Sequence, residues 1–274
     1  MTENPLLNYR LQQPTQPLRQ PTASSQDDDR TLPTLVFLHG LFGDLNNLGV
    51  IARAYADRFP LLRVDLRNHG HSFHVDEMDY ELMANDVIRL IRHLTLDRII
   101  LIGHSMGGKT AMKIASLIPE QVEKLVVLDI APVAYGEHHH DDVFAALMAV
   151  QAARPSSRQQ AKPILQQYIQ TEGIQQFMLK SFAPQSPQSF LFNLTALYRN
   201  YPKLMDWQSI YCTTPTLFIK GGRSNYILPQ YKDTVLAQLP NATSFTISQA
   251  AHWIHSDSPE LVIKTINRFL NLAE

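Results

Sequence analysis

Cysteine is nearly missing from this chain: Cys212 is the only one in 274 residues. No intrachain disulfide can form, and the composition fits a reducing compartment. Cys212 opens an apolar, strand-like run, where it reads as a buried, inert thiol rather than a nucleophile. An excess of either charge is missing too. The 24 Lys and Arg against 25 Asp and Glu leave a formal net charge of −1, so nothing electrostatic favours nucleic acid or an anionic membrane surface as a partner. No apolar run approaches the ~20 residues of a membrane-spanning helix, and membrane insertion is not expected. The start, Met1-Thr2-Glu3-Asn4-Pro5, has neither a basic cluster nor an apolar stretch, so no signal peptide is read and a cytoplasmic location is expected.

What is present is enough apolar material, 45% of residues, for a substantial core. The length suits one large domain, or one domain with a modest insertion. From Thr34 to Asp129, strand-like runs (34–38, 61–65, 98–103, 124–129) alternate with helical patterns (47–57, 79–95, 107–117). Such alternation implies parallel strands joined by right-handed helical crossovers. Between about Val133 and Tyr211 the pattern changes, with helical stretches near 141–153, 158–171, 173–181 and 187–200 and no convincing strand. Strand signals resume at 216–220 and 242–247, and a helical pattern runs from Pro259 to Leu270. The domain reading is therefore a core of residues 34–132 and 212–274, with a helical cap inserted at 133–211. Residues 1–33 read as an edge strand at 6–11 followed by a mobile loop rich in Gln, Pro, Ser and Asp, too polar to offset its ordering entropy by burial.

Gly103-His104-Ser105-Met106-Gly107 joins an apolar strand to a helical run. A strand turning sharply into a helix at G-x-S-x-G is a nucleophile elbow, which holds its serine in a strained turn with the hydroxyl exposed at the sheet end. The same window, extended to Gly108-Lys109-Thr110, also fits the phosphate-binding pattern G-x-x-x-x-G-K-[ST]. Leu125-Val126-Val127-Leu128-Asp129 would then serve as the strand ending in a magnesium-binding Asp. Two distant segments favour the elbow. Leu35 to Leu38 run into His39-Gly40-Leu41-Phe42-Gly43, and Ala251-His252-Trp253 follows the strand-like Ser244–Ile247. A serine, an acid and a histidine in that chain order match the elbow architecture, whereas a nucleotide-binding loop needs neither segment.

The ordered set His39–Gly43, Asp65–Ser72, Gly103–Lys109, Leu128–Val133 and Gly221–Ser224 resembles the YbfF-type esterases, a branch of the α/β-hydrolases that includes mitochondrial abhydrolase-domain proteins. The similarity runs from about residue 34 to the C-terminus. It implies an α/β-hydrolase fold: a mostly parallel central sheet flanked by helices, with a helical cap inserted after a mid-sheet strand. It also implies a cofactor-independent serine hydrolase acting on carboxylic esters or acyl thioesters through an acyl-enzyme. Alternatives on the same scaffold are a carbon–carbon bond hydrolase, an aminopeptidase, or a non-catalytic ligand-binding protein.

Ser105 is the expected nucleophile. Its hydroxyl needs an adjacent base, and His252 supplies an imidazole that titrates near neutral pH. His255, three residues on, is the weaker candidate for the base. Many relatives carry Gly where this chain has Ala251, which is expected to shift the loop slightly. Most α/β-hydrolases place the acid in a G-x-x-D turn after the strand matching 217–220. Here that turn reads Gly221-Gly222-Arg223-Ser224, so Asp129 is the expected acid, with Asp233 and Asp257 behind it. Backbone N–H groups of Leu41 and Met106 are the expected oxyanion donors, with Phe42 as fallback to Leu41. His39 and the Asp65–Ser72 turn read as structural. His138-His139-His140-Asp141-Asp142 is not read as a metal site, because adjacent histidines on one exposed segment rarely converge on one ion. No cofactor or metal is expected.

Overall fold

The computed structural model describes residues 5–15, 32–136 and 140–272. Among the described residues, seven strands form one sheet in the order β1-β3-β2-β4-β5-β6-β7. β1 (Tyr9–Gln12) is the antiparallel edge strand, paired with β3 (Leu61–Val64). β2 (Thr34–Leu38), β4 (Ile99–His104), β5 (Val122–Leu128), β6 (Thr216–Gly221) and β7 (Ala242–Ile247) run parallel to one another and to β3. The mobile loop expected across 12–33 falls largely on residues 16–31, outside the described residues.

Alternation along each strand divides the core in two. Leu35, Phe37, Ile100, Ile102, Val126 and Leu128 face one side, while Val36, Leu38, Leu101, Leu125 and Val127 face the other. Successive strand residues point to opposite faces, so a sheet covered on both sides needs apolar residues at every position. The first face is covered by α1 (Gly49–Arg53) and α10 (Pro259–Leu270), with the short α9 (Ile254–Asp257) beside them. The second is covered by α2 (Tyr80–His93) and α3 (Met106–Leu117). An Asp79 side chain accepting the Leu82 N–H caps the start of α2.

Among the described residues, four helices lie between β5 and β6: α4 (Asp141–Ala153), α5 (Arg158–Gln166), α6 (Glu172–Lys180) and α7 (Leu194–Met205). After β6, α8 (Lys232–Gln238) leads to β7. The helix expected over 187–200 starts late and ends late. Phe190 and Phe192 are buried and stack on each other at 4.9 Å, which holds 189–192 out of the helix. The Asn193 side chain then accepts the Ala196 N–H at 3.2 Å and starts α7. Pro202 sits in the last turns of α7 without ending it, because the buried Tyr201, Leu204 and Met205 anchor that end in the core.

Candidate active site

The parallel register sets the site. His104 is paired with Leu128 across β4 and β5, and Leu128 with Ile219 across β5 and β6. The residues just past these strand ends, Ser105 and Asp129, therefore stand side by side at the C-terminal edge of the sheet. That edge is where open parallel sheets bind ligands. The ladder continues through both, with the Ser105 N–H donating to the Leu128 carbonyl (3.0 Å) and the Asp129 N–H to the Ile219 carbonyl (2.9 Å).

Ser105 has φ 52° and ψ −120°, a conformation costly to any residue with a Cβ and held only when the surroundings over-determine it. The neighbouring glycines make it possible. A Cβ on Gly103 would meet the Gly107 carbonyl oxygen at 2.3 Å, and one on Gly107 would meet the Leu38 carbonyl oxygen at 2.2 Å. Strand and helix thus close around the turn only with glycine at both places.

The Ser105 hydroxyl donates to His252 Nε2 at 3.0 Å, and His252 Nδ1–H donates to Asp129 Oδ2 at 2.8 Å. Asp129 is fully buried, whereas the His252 side chain keeps 21% of its surface. Two further donors hold the carboxylate: the Gly221 N–H on Oδ1 at 2.8 Å, and the Ser224 hydroxyl on Oδ2. Ser224, in the turn where most α/β-hydrolases would carry their acid, is thus bonded to the carboxylate that ends β5. Of the weaker candidates, Asp257 accepts the Ala251 N–H at 2.8 Å and so ties down the His252 loop. Asp233 lies on an exposed part of α8.

The loop after β2 is fixed by two buried histidines. His39 donates from Nδ1 to the Gly40 carbonyl (2.8 Å) and accepts the Leu66 N–H at Nε2 (3.0 Å). His69 donates from Nδ1 to the Arg67 carbonyl (2.9 Å) and accepts the Phe42 N–H at Nε2 (3.2 Å). Each ring uses one donor and one acceptor, as a neutral imidazole does, and burial holds both below the usual histidine range. The Phe42 N–H is thereby taken, which removes the fallback oxyanion donor. Among the described residues, no protein acceptor takes the Leu41 or the Met106 N–H, and both residues line the cavity that holds Ser105.

Several neighbours of His252 carried no readable sequence signal. Tyr226 stacks on its ring at 4.0 Å. His104 Nε2–H donates to its backbone carbonyl at 2.9 Å, and burial beside the other histidines keeps that ring well below its usual pKa. His255 packs behind His104 at 4.4 Å, and burial pushes it down to about 3. These contacts join segments more than 100 residues apart in most cases, so periodicity does not reveal them.

The cavity beside Ser105 is about 30 Å³ and is walled by Leu41, Met106 and Ile130 from the core side and Tyr201, Leu204 and Met205 from α7. The phosphate-loop alternative is not supported. Lys109 is buried among aromatic rings, with Nζ donating to the Asp206 carbonyl at 3.2 Å, and is not turned toward a phosphate-sized loop. Among the described residues, no group of three or more His, Cys, Asp or Glu is placed to hold a metal ion. His138 and His139 lie outside the described residues. No described helix is long and apolar enough to cross a membrane.

Residues 35–265 match the sequence model of the alpha/beta hydrolase family. A Haemophilus influenzae protein assigned provisionally as an esterase/lipase is 55% identical over 266 residues, which are 97% of this chain and 88% of that protein. Esterase YbfF of Escherichia coli is 41% identical, over 93% of this chain and 98% of its own. A solved structure, a marine microorganism esterase, superposes with a TM-score of 0.85 at 30% identity, covering 96% of this chain and 99% of the other.

Proposed function

Because this chain belongs to the alpha/beta hydrolase family, we propose that Ser105, His252 and Asp129 are the working residues of a carboxylic ester hydrolase. The chain is an enzyme of the ester hydrolase class, as its relatives named esterase are, and its substrate is a small-molecule ester. The observation that carries the residue assignment is the continuous relay from Ser105 Oγ through both ring nitrogens of His252 to Asp129.

In the proposed reaction His252 Nε2 takes the proton from Ser105 as its oxygen attacks the ester carbonyl. The carbonyl oxygen gains negative charge, which the Leu41 and Met106 N–H groups stabilise; the Met106 donor adds the field of the α3 N-terminus. The imidazolium returns its proton to the departing alkoxide, leaving an acyl group on Ser105. Water, deprotonated by the same ring, then hydrolyses that acyl-enzyme. Asp129 accepts the hydrogen bond from Nδ1–H throughout without taking the proton, fixing the tautomer and stabilising the imidazolium. Residues 133–211 act as the cap over this site. A thioester would follow the same steps with a thiolate leaving. The reading includes a cytoplasmic location, no nucleic-acid partner and no membrane insertion.

The test is a fluorophosphonate probe with p-nitrophenyl acetate turnover alongside. Wild-type protein should label at Ser105 and hydrolyse the ester. Ser105→Ala should do neither while keeping its circular dichroism spectrum, and His252→Ala should lose roughly 10⁴-fold or more in turnover, by analogy with other triads. Near-wild-type turnover in either folded variant would remove these residues from the mechanism.

A further inference from the structure

One turn of α3 beyond Ser105, Lys109 is fully buried and lines the same cavity. Residues four apart share a helix face, and about 6 Å of helix rise separates them. Its ammonium sits over the rings of Tyr80, Tyr135 and Trp207, at 5.2, 4.8 and 5.5 Å from their centroids. A lysine ammonium has three donors, and the hydrogen bond it makes among the described residues goes to one carbonyl, that of Asp206. The ring faces attract its charge but are not directional acceptors.

The hydroxyls around it are committed elsewhere. Tyr80 donates to the Leu204 carbonyl and Tyr135 to the Tyr226 carbonyl, both at 2.7 Å. No carboxylate lines the cavity. Burial pushes the Lys109 amine down to about 7, with the Asp206 charge pulling the other way. A buried cation without a counter-ion is costly, and methionine would fill an aromatic cage of this kind without that cost. The surplus donor capacity therefore points to an acceptor that arrives with the ligand.

We propose that Lys109 is the specificity-determining end of the acyl site and donates to an oxygen on a short acyl group, about two to four atoms beyond the scissile carbonyl carbon. This rests on Ser105 being the nucleophile. The cavity that Lys109 and Ser105 share is small, about 30 Å³, which favours an acyl group of a few heavy atoms. The acceptor oxygen can be neutral, as in an ether or ketone, or can belong to a carboxylate.

The experiment compares p-nitrophenyl butanoate with its isostere p-nitrophenyl methoxyacetate, in which one CH₂ becomes oxygen, and with p-nitrophenyl hemisuccinate. Intrinsic ester reactivity cancels when each kcat/KM is divided by that of Lys109→Met. The loss on Lys109→Met should be about tenfold greater for an oxygenated ester than for butanoate, the usual scale of a charge-assisted hydrogen bond. A larger effect on methoxyacetate identifies a neutral acceptor, and a larger one on hemisuccinate a carboxylate. Lys109→Gln, which keeps N–H donors, should retain part of the discrimination. Equal losses on all three esters would show a purely structural lysine and overturn the proposal.

Wild-type protein alone provides a check that needs no variant to fold. Its preference for methoxyacetate over butanoate should exceed the ratio of the two esters' hydroxide rates, and equality would also overturn the proposal. Fluorophosphonate labelling run in parallel separates the two readings. An unlabelled Ser105 refutes the nucleophile assignment, whereas a labelled Ser105 without acyl discrimination refutes only the role of Lys109.

Discussion

The ends of β5 and β6 lie side by side, and each could have carried the acid. β5 leads into Asp129, whose backbone turns through φ 51° so that its carboxylate reaches His252. β6 ends in Gly221, which is the first residue of a turn whose fourth is Ser224. That turn presents a hydroxyl and a backbone N–H, and both point at the Asp129 carboxylate. One strand end brings the charge and the other brings the donors that hold it. A hydrogen-bonded carboxylate in a fully buried position needs such donors, because a bare one would be strongly destabilised. The two ends thus act as one unit whose parts differ in importance.

Substitutions at the two ends should therefore be unequal, with the largest loss from Asp129→Asn. It keeps the shape and removes the charge, so turnover of p-nitrophenyl acetate should fall about 10³- to 10⁴-fold with little change in KM. Activity within tenfold of wild type would move the acid elsewhere. Relocating the carboxylate, with Asp129→Asn and Ser224→Asp together, should recover about ten- to a hundredfold of that loss, since both positions contact the same oxygen site. A double variant no better than Asp129→Asn would show that only the β5 end has the right approach to His252.

Ser224→Ala removes one of the donors to Asp129 and leaves the charge, so steady-state turnover should drop by about tenfold or less, the scale of one hydrogen bond. A loss matching that of Asp129→Asn would reverse the ranking of the two ends. Asp233→Asn, on exposed α8, should change turnover less than about twofold, because it contacts none of these groups. A larger change in kcat would bring α8 into the site.

Much of this was legible in the sequence because the fold is written in patterns that survive without neighbours. Alternating strand and helix periods gave the parallel sheet, and Gly103 and Gly107 gave the elbow, since no other residue fits between those backbones. The likeness carried by His39–Gly43 and Gly103–Lys109 pointed to the family that the comparisons show. Asp129 was the expected acid because the turn after β6 carries Ser224 where most α/β-hydrolases place theirs, and its carboxylate does meet His252. The remainder depends on long-range approach. That Ser224 would bond Asp129, that Tyr226 would stack on His252, and that His69 would take the Phe42 N–H are consequences of packing between distant segments. The start of α7 was misplaced for a related reason, because burial of Phe190 and Phe192 outweighed their local helical pattern.

The hydrogen bond from His252 Nδ1–H to Asp129 joins the base to the acid, and proton NMR of ¹⁵N-histidine-labelled protein observes that proton directly. Wild-type protein should show a downfield ring N–H resonance that assigns to His252 and sharpens when Ser105 carries a fluorophosphonate adduct. Ser224→Ala should keep the resonance, slightly shifted, and Asp129→Asn should lose it. A downfield His252 proton that survives in Asp129→Asn would contradict the assignment of Asp129 as the acid.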